Sequence, residues 1–300
     1  MSKTPEQTPF KSGYVAIVGQ PNVGKSTLLN NLLNFKVSSV TRKPQTTRHQ
    51  IRGILTGDDH QIIFLDTPGM LEPRYKLQEA MLGAVRRSLA DADLALFMVE
   101  AGKVSETDLG CLKEVRKLTS KIMLAINKVD IVAKTTLLPL LDFYHGKQGI
   151  DTIVPISALK KDGLDALKQE LIRALPTGVP FYAKDQIMDH PERFLVAEII
   201  REKVFLKFGD EIPYSSSVNI EEFKERENRK DYIRAIIYVE RKSQKGILIG
   251  KNGAALKSVG QLARADIEEI LERPVFLELW VKVKEKWRQD EAILKEFGYY

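Results

Sequence analysis

The sequence predicts an α/β protein in which a larger domain with a mostly parallel sheet precedes a smaller α+β domain. In the first half, short apolar runs alternate with stretches of helical periodicity, whereas beyond residue 192 two strand-like runs follow one another directly. Between the halves, residues 175–180 hold two prolines and a glycine, which is typical of a linker. We therefore expect domains at residues 1–178 and 193–300, with residues 179–192 as the linker.

Short apolar runs predict the strands of the first domain. They are nearly free of polar residues, as buried parallel strands are. Leu28, Leu29, Leu32 and Leu33 recur at helical spacing after the first run, and Pro155 favours an edge position for the last one. Helices are expected between the runs and on both faces of the sheet. The runs are residues 14–18, 61–65, 94–99, 122–126 and 153–156.

The second domain has a different order of elements, namely helix, strand, strand, helix and strand. A charged turn at residues 225–229 joins the first two strands. In the last strand, every second residue from Val275 to Val283 is apolar, and Glu278, Lys282 and Lys284 lie on the opposite face, so one face is expected to be buried. The predicted elements are residues 194–208, 218–223, 233–239, 256–271 and 275–284.

The composition is that of a soluble globular protein, with 43% hydrophobic and 29% charged residues among 300. No apolar stretch approaches the roughly 18 residues that cross a bilayer, and the polar stretch 1–11 is not expected to be a secretory signal. The lone Cys111 excludes an internal disulfide and is expected to be a small core residue on a helix. A reducing cytoplasm is the expected compartment.

The distribution of charge indicates a polyanionic partner for the second domain. Residues 181–300 carry 22 basic and 22 acidic side chains, yet between Arg234 and Arg264 there are seven basic residues and only Glu240 is acidic. A basic face on a neutral domain suits nucleic acid. A solvated helix face is the alternative explanation of such a run.

A phosphate-binding loop is predicted between the first strand and the first helix. Gly19 and Gly24 let the backbone approach phosphates closely, and the free N–H groups of the following helix attract negative charge. Lys25 is expected to reach the β- and γ-phosphates, and Ser26 to offer its hydroxyl to Mg²⁺. The predicted loop consists of Gly19, Gln20, Pro21, Asn22, Val23, Gly24, Lys25, Ser26 and Thr27.

Two further segments are expected to complete the phosphate and magnesium site. Asp66 ends an apolar strand and is followed by Thr67, Pro68 and Gly69, which places a carboxylate near a water bound to magnesium and an N–H near the γ-phosphate. One hydroxyl of Thr46 and Thr47 is expected on the metal, and we favour Thr47. Residues expected to act in hydrolysis are Lys25, Thr47 and Gly69.

The residues predicted to select the base are Asn127, Lys128, Val129 and Asp130. A carboxylate accepts hydrogen bonds from both N1–H and the exocyclic amine of guanine, and adenine offers no such pair, so Asp130 predicts strong preference for guanine. Ser157 and Ala158 are expected to supply a backbone N–H to the guanine oxygen.

A second phosphate-facing loop is predicted at Gly250, Lys251, Asn252 and Gly253, just before a helix. This loop and its flanking elements resemble the KH domain, whose GXXG loop clamps about four nucleotides of single-stranded RNA. Lys245 and Lys257 flank the loop and are expected to contact the same RNA.

The nucleotide motifs resemble those of the translation-factor-related GTPases. One departure from the Ras-like pattern is Met70, which follows Gly69 where a glutamine orients the attacking water in Ras-like proteins. A thioether cannot orient water, so slow intrinsic hydrolysis is expected. The resemblance also implies that Asn22 helps to bind a potassium ion near the phosphates.

The whole chain resembles the Era-type GTPases, on the residues 21–30, 45–49, 248–253 and 278–284. The resemblance implies GTP and GDP as ligands, and a KH domain that binds 16S ribosomal RNA of the small subunit near its 3′ end. It also implies a role in maturing the small ribosomal subunit, a monomer, and a cytoplasmic protein with a peripheral fraction at the inner face of the membrane.

Two other interpretations stay open on the sequence. One is an assembly factor in which GTP binding matters and hydrolysis only resets the protein. The other is a P-loop enzyme of the kinase class whose C-terminal domain is a substrate lid, against which the residues 127–130 argue.

Overall fold

The computed structural model describes residues 9–102, 104–227 and 229–300. Most of the polar N-terminal stretch, and Asn228 of the predicted turn, lie outside the described residues. The chain divides into two compact units. Within the described residues, the first comprises residues 9–37, 49–71 and 84–189, and the second comprises Ser38–Arg48, Glu72–Gly83 and His190–Tyr300, apart from the gaps.

The first unit contains a sheet of six strands in its described residues. The order across the sheet is β2-β3-β1-β4-β5-β6, and all neighbours are parallel except β2 and β3. The five predicted strands are confirmed, and Pro155 lies in an edge strand as expected. The strand β2 was not predicted. The strands are β1 (Lys11–Gly19), β2 (Ile51–Thr56), β3 (His60–Asp66), β4 (Leu94–Glu100), β5 (Ile122–Asn127) and β6 (Ile153–Pro155).

Helices connect these strands, as the alternating pattern predicts. They are α1 (Lys25–Leu33), α2 (Lys76–Asp91), α3 (Glu106–Leu118), α4 (Leu137–Asp142) and α5 (Leu164–Ala174). The helices α1, α3 and α5 each contact β1, the third strand across the sheet. Cys111 lies on α3 and is buried in the core, where burial raises its thiol pKa to about 11. The expectation of a small core residue on a helix is therefore confirmed.

The predicted linker differs from the observed division of the chain. Its first eleven residues, 179–189, belong to the first unit. The side chain of Gln61 accepts hydrogen bonds from the backbone N–H groups of Phe181 and Tyr182, at 2.6 and 3.0 Å. Asp189 pairs with Arg52 at 3.0 Å. These bonds tie the segment to β2 and β3. The prolines and the glycine from which the linker was predicted give no information about such bonds.

The second unit is an α+β domain with a three-stranded sheet in the order β7-β8-β9. The strands β7 and β8 are antiparallel, whereas β8 and β9 are parallel. The predicted elements are confirmed, and α7, α8 and α10 are additional. The elements are α6 (Glu192–Lys207), α7 (Ile212–Ser215), β7 (Ser217–Lys224), β8 (Asp231–Val239), α8 (Lys242–Ile249), α9 (Ala254–Leu271), β9 (Val275–Val283) and α10 (Glu291–Glu296).

Two segments from the first half of the chain are part of the second unit. Arg48 is buried and donates to the carbonyl oxygens of Pro213, Tyr214 and Ser216 at 2.7–3.1 Å. The first turns of α2 contribute apolar side chains to a cluster with the C-terminal residues. This cluster is made of Leu77, Ala80, Met81, Trp287, Leu294 and Tyr299.

None of the helices in the part of the chain that the structure describes combines the length and the apolar composition that a membrane span requires.

Candidate nucleotide site and C-terminal groove

The phosphate loop between β1 and α1 has a backbone that only certain residues adopt. Gly19 and Gly24 have φ of +149° and +103°, and a Cβ at Gly24 would lie 2.2 Å from the side-chain nitrogen of Asn127. Asn22 also has positive φ, at +64°. Glycine is therefore required at Gly24 both by conformation and by space. The loop leads directly into the N-terminus of α1, as predicted.

Lys25 lies buried at the start of α1. Its Nζ donates to the carbonyl oxygens of Gly19 at 3.1 Å and Gln20 at 2.8 Å. Burial lowers its pKa to about 8, although the charge of Asp66 acts in the opposite direction. These two acceptors are neutral carbonyl oxygens. A bound phosphate would add a negative charge beside the ammonium group and so favour its charged form.

The two residues predicted to hold magnesium in the first unit lie together. The hydroxyl of Ser26 donates to Oδ2 of Asp66 at 2.7 Å, and Asp66 is fully buried at the end of β3. A hydroxyl and a carboxylate beside a phosphate site form the set of hard oxygen ligands that Mg²⁺ prefers. The residues present therefore fit the ion.

The segment after Asp66 packs against the phosphate loop. A Cβ on Gly69 would lie 2.6 Å from the backbone nitrogen of Pro21, and the N–H of Met70 donates to the carbonyl of Gly19 at 3.0 Å. The side chain of Met70 is buried in the hydrophobic core. Thr67 donates its hydroxyl to the carbonyl of Ile17. Glycine is thus required at Gly69 for this close approach, and Met70 has a core role.

Thr46 and Thr47 belong to the second unit, unlike Ser26 and Asp66. The hydroxyl of Thr46 lies within hydrogen-bond distance of the carbonyl of Lys43 at 2.8 Å and the hydroxyl of Thr41 at 2.6 Å. These contacts direct the hydroxyl of Thr46 towards Thr41 and Lys43 of its own loop. Thr47 is buried. Our preference for Thr47 as the metal ligand stays a prediction.

The residues predicted to hold the base come together at the ends of β5 and β6. The hydroxyl of Ser157 donates to Asp130 at 2.6 Å, which fixes the orientation of the carboxylate. Asn127 donates to the carbonyl of Val23 at 2.7 Å and accepts from the N–H of Ala158 at 2.8 Å. Asn127 therefore connects the base site to the phosphate loop. Lys128 pairs with Glu100 at 2.6 Å.

The loop from Gly250 to Gly253 connects α8 to α9. Three of its residues have positive φ, namely Gly250 at +72°, Asn252 at +53° and Gly253 at +76°. A Cβ on Gly250 would lie 2.7 Å from that of Ala255, whereas the space beside Gly253 is open. Lys251 and Asn252 are exposed. The loop thus presents backbone and a positive charge to solvent.

A groove follows this loop along α9 and β9. Its lining includes leucine side chains and two basic residues, Lys257 and Arg264. Its α9 residues recur at helical spacing on one face of the helix. Lys257, which is predicted to contact RNA, lines the groove, whereas Lys245, predicted to contact the same RNA, is not among its lining residues. The lining residues are Gly253, Leu256, Lys257, Gly260, Gln261, Arg264, Phe276, Leu277 and Leu279.

Comparison with known proteins finds matches for both domains. Residues 14–128 match the family described as 50S ribosome-binding GTPase, and residues 211–288 match the KH domain. GTPase Era of Ruminiclostridium cellulolyticum is 43% identical over 97% of this chain and 98% of its own length. GTPase Era of Lactobacillus helveticus is 44% identical over 98% of each.

The chain belongs to the Era GTPase family. The resemblance seen in the motifs is therefore confirmed over nearly the whole length, and the protein is a GTPase. Among solved structures, a variant of Aquifex aeolicus Era bound to GDP·AlF₄⁻ is 43% identical. It superposes with a TM-score of 0.93, over 97% of this chain and 99% of its own. Era in complex with MgGDPNP and nucleotides 1506–1542 of 16S ribosomal RNA gives the same values.

Two contacts of this Era-family nucleotide site were not predicted. The side-chain nitrogen of Gln20 donates to Asp108 at 2.7 Å and to Ser105 at 3.2 Å, which ties the phosphate loop to the start of α3. Burial raises the pKa of Asp108. The amide of Asn31 donates to the carbonyl of Ala158 at 2.6 Å. Partners of Gln20 and Asn31 lie 85–127 positions away in sequence, so no local pattern reveals either contact.

Proposed function

We propose that this Era-family GTPase binds GTP with Mg²⁺, hydrolyses it, and binds 16S ribosomal RNA near its 3′ end during small-subunit assembly. The observation that carries the proposal is the presence of both sites in one chain: a phosphate and guanine site in the first unit, and a basic groove beside a GXXG loop in the second. The related Era complex with MgGDPNP and nucleotides 1506–1542 of 16S ribosomal RNA supports the pairing.

The first unit supplies the residues for hydrolysis in this proposal. The Nζ of Lys25 and the backbone around Gly19 to Gly24 hold the phosphate oxygens. Ser26 and Asp66 hold Mg²⁺ directly and through water, with Thr47 as the further ligand. Bound Mg²⁺ would neutralise the charge that develops on the β- and γ-phosphates. The N–H of Gly69 is proposed to contact the γ-phosphate.

Water must be oriented without a glutamine, because the side chain of Met70 points into the core. Backbone groups or a bound potassium ion are the candidates for this role in the proposal. Asn22, with its left-handed backbone, is the residue proposed to hold potassium. Hydrolysis measured in potassium and in sodium tests this role: a faster rate in potassium, which Asn22→Ala abolishes, is expected. Equal rates would remove potassium from the mechanism.

The segment that carries Thr46 and Thr47 is part of the RNA-binding unit and contacts its helix α6. Ser39 donates to the carbonyl of Glu198, and the N–H of Val40 donates to the carboxylate of Glu202, both on α6. A change in this segment when GTP binds would alter its contacts with α6. This arrangement supports a switch rather than two independent activities.

Titration of a labelled single-stranded RNA with the 3′-terminal sequence of 16S ribosomal RNA tests the function. The full chain is measured with a GTP analogue and Mg²⁺, with GDP, and as Lys25→Ala. Tight RNA binding with the analogue, and competition for the nucleotide site by GTP but not ATP, are expected. Absence of RNA binding, or equal competition by ATP as for a kinase, would overturn the proposal.

The cytoplasm, a peripheral fraction at the inner face of the membrane and a monomeric state are part of the proposal as well. Fractionation of cells and sedimentation of the purified protein test them.

A further inference from the structure

The loop that is proposed to contact the guanine oxygen has a buried base and an exposed tip. Ser157 and Asp162 exchange two backbone hydrogen bonds at 3.0 and 3.1 Å, which close the loop. Ser157 and Ala158 are buried, whereas residues 159–162 are exposed, and Leu159 is 72% exposed. Polar bonds to neighbouring elements therefore act together with the packing of Ala158 in determining where the loop lies.

The backbone of Ala158 is held on both sides of its Cα by side-chain amides. Its N–H, in the peptide group shared with Ser157, donates to Asn127 at 2.8 Å, and its C=O, in the next peptide group, accepts from Asn31 at 2.6 Å. Asn127 lies at the end of β5 and also bonds to the phosphate loop. Asn31 lies on α1, the helix whose first residues are Lys25 and Ser26. Two different elements thus fix the backbone of this one residue.

Through the contact of Asn31, the helix α1 connects the phosphate end of the site to the base loop. An α-helix rises about 1.5 Å per residue, so Asn31 lies roughly 8 Å along the axis from Ser26. One rigid helix therefore carries the phosphate-binding residues at its start and a bond to the base loop one and a half turns later. Its length sets the spacing between the phosphate and base ends of the site.

We propose that Asn31 is a positioning residue for guanine, which holds the backbone of Ala158 so that its N–H, which donates to Asn127, is shared with the base oxygen. This inference rests on the proposed guanine site. Loss of the amide leaves the carbonyl of Ala158 without this donor and frees the loop from α1. The N–H then no longer meets the oxygen at position 6 of guanine, while the phosphate contacts stay intact.

The test compares GDP with 6-thio-GDP, in which sulfur, a weak acceptor, replaces the base oxygen. Asn31→Ala in the full chain is expected to bind GDP about 10-fold more weakly, whereas its affinity for 6-thio-GDP changes little. The KM for GTP should rise by a similar factor while kcat stays within about 2-fold. Lys161→Ala is the matched control, because Lys161 joins the same loop to Asn34 of the same helix end through an exposed bond of 3.1 Å. It should bind like the wild type.

Three results separate the outcomes. Equal GDP affinity in Asn31→Ala and wild type overturns the inference. An equal loss for GDP and 6-thio-GDP also overturns it, because the residue would then support only the fold. Failure of the wild type to prefer GDP over ADP would instead overturn the proposed guanine site. If Asn31→Ala unfolds, Asn31→Asp is measured, since it keeps the shape and places a carboxylate against the carbonyl.

Discussion

At the scale of single residues, selectivity for the base depends on the carboxylate of Asp130 and on its orientation by the hydroxyl of Ser157, 2.6 Å away. Motif spacing predicted the first residue, and the structure adds the second contact. The bond from Ser157 to Oδ1 of Asp130 restricts the rotation of the carboxylate. The geometry converts a motif into a prediction about nucleotide preference.

Asp130→Asn should weaken GDP binding by about 100-fold and favour xanthosine diphosphate, because an amide donates where the carboxylate accepted. Competition of both nucleotides against a fluorescent GDP measures the change. Asp162→Asn, an exposed residue of the neighbouring loop, should leave the preference unchanged. Full preference for guanine in Asp130→Asn would show that another group selects the base.

Lys25 predicts a pH dependence of nucleotide binding. Its pKa in the free protein is lowered to about 8 by burial, so the ammonium loses its proton as pH rises through that value. Phosphate binds the charged form, and therefore GDP affinity should be nearly constant below about pH 7 and fall progressively as pH rises above about 8. Calorimetry in two buffers with different ionisation enthalpies should detect proton uptake on binding above about pH 8. The residual binding of Lys25→Ala should not show this step.

Met70→Gln should fail to speed hydrolysis, although it restores the residue found in Ras-like proteins. The side chain at this position is only 5% exposed and lies in the core. An amide buried there should lower stability by about 1–3 kcal/mol. Single-turnover GTP hydrolysis and thermal unfolding measure the two effects. A large acceleration would mean that the side chain leaves the core when GTP binds.

At the scale of elements, the α8–loop–α9 unit presents a groove with basic side chains on one face of α9. The open space beside Gly253 is where a nucleic-acid backbone is proposed to approach. Positive φ at this residue makes the loop turn, and the exposed Lys251 adds charge. Affinity for RNA should therefore fall with salt as phosphate contacts release counterions.

Gly253→Asp should abolish RNA binding and leave GDP binding unchanged, because it puts a side chain and a negative charge against the phosphates. The matched control is Gly298→Asp. Gly298 has a similar φ of +78°, also with open space beside it, and lies in the same unit. Both variants carry the same strain, so only a groove contact separates them. Equal RNA affinity of the two variants would assign the loop a purely structural role.

Elements that pack by continuous apolar runs were predictable, and those held by mixed contacts were not. The strands β1, β3, β4 and β5 follow runs that read as buried strands. The strand β2, with an arginine and a glycine among its six residues, gives no such signal. The helix α8 also contains a glycine and was missed. The roles of the site residues within each motif stay predictions, and their partners from distant segments were not predicted.

At the scale of the whole molecule, the second unit includes residues from three parts of the chain. The buried guanidinium of Arg48 donates to carbonyl oxygens of residues 213, 214 and 216, which lie 165–168 positions later. Such contacts between distant residues carry no local sequence signature, which is why the predicted domain boundaries treat the chain as two consecutive blocks.

Arg48→Met should lower the free energy of unfolding of the second unit by about 2–4 kcal/mol, because three buried carbonyl oxygens lose a charged donor. Both tryptophans of the chain, Trp280 and Trp287, lie in this unit, so their fluorescence in urea reports its unfolding. Arg52→Ala, which removes the half-exposed pair with Asp189 in the first unit, is the control. It should change this transition by less than about 1 kcal/mol. A transition unchanged by Arg48→Met would mean that the buried bonds are offset elsewhere.

The sharing of segments restricts how this part of the protein can be exchanged between relatives. A gene fragment that begins at His190 encodes the KH elements but omits Arg48, Leu77 and Met81. The product would leave Trp287, Leu294 and Tyr299 without their apolar neighbours, and such uncovered surface promotes aggregation. Recombination that joins two family members after the linker must therefore match residues 38–48 and 72–83 to the incoming C-terminal half. Chimeras made with and without these two segments should differ in solubility. Substitutions in residues 38–48 and 72–83 would then be inherited together with substitutions in the C-terminal half.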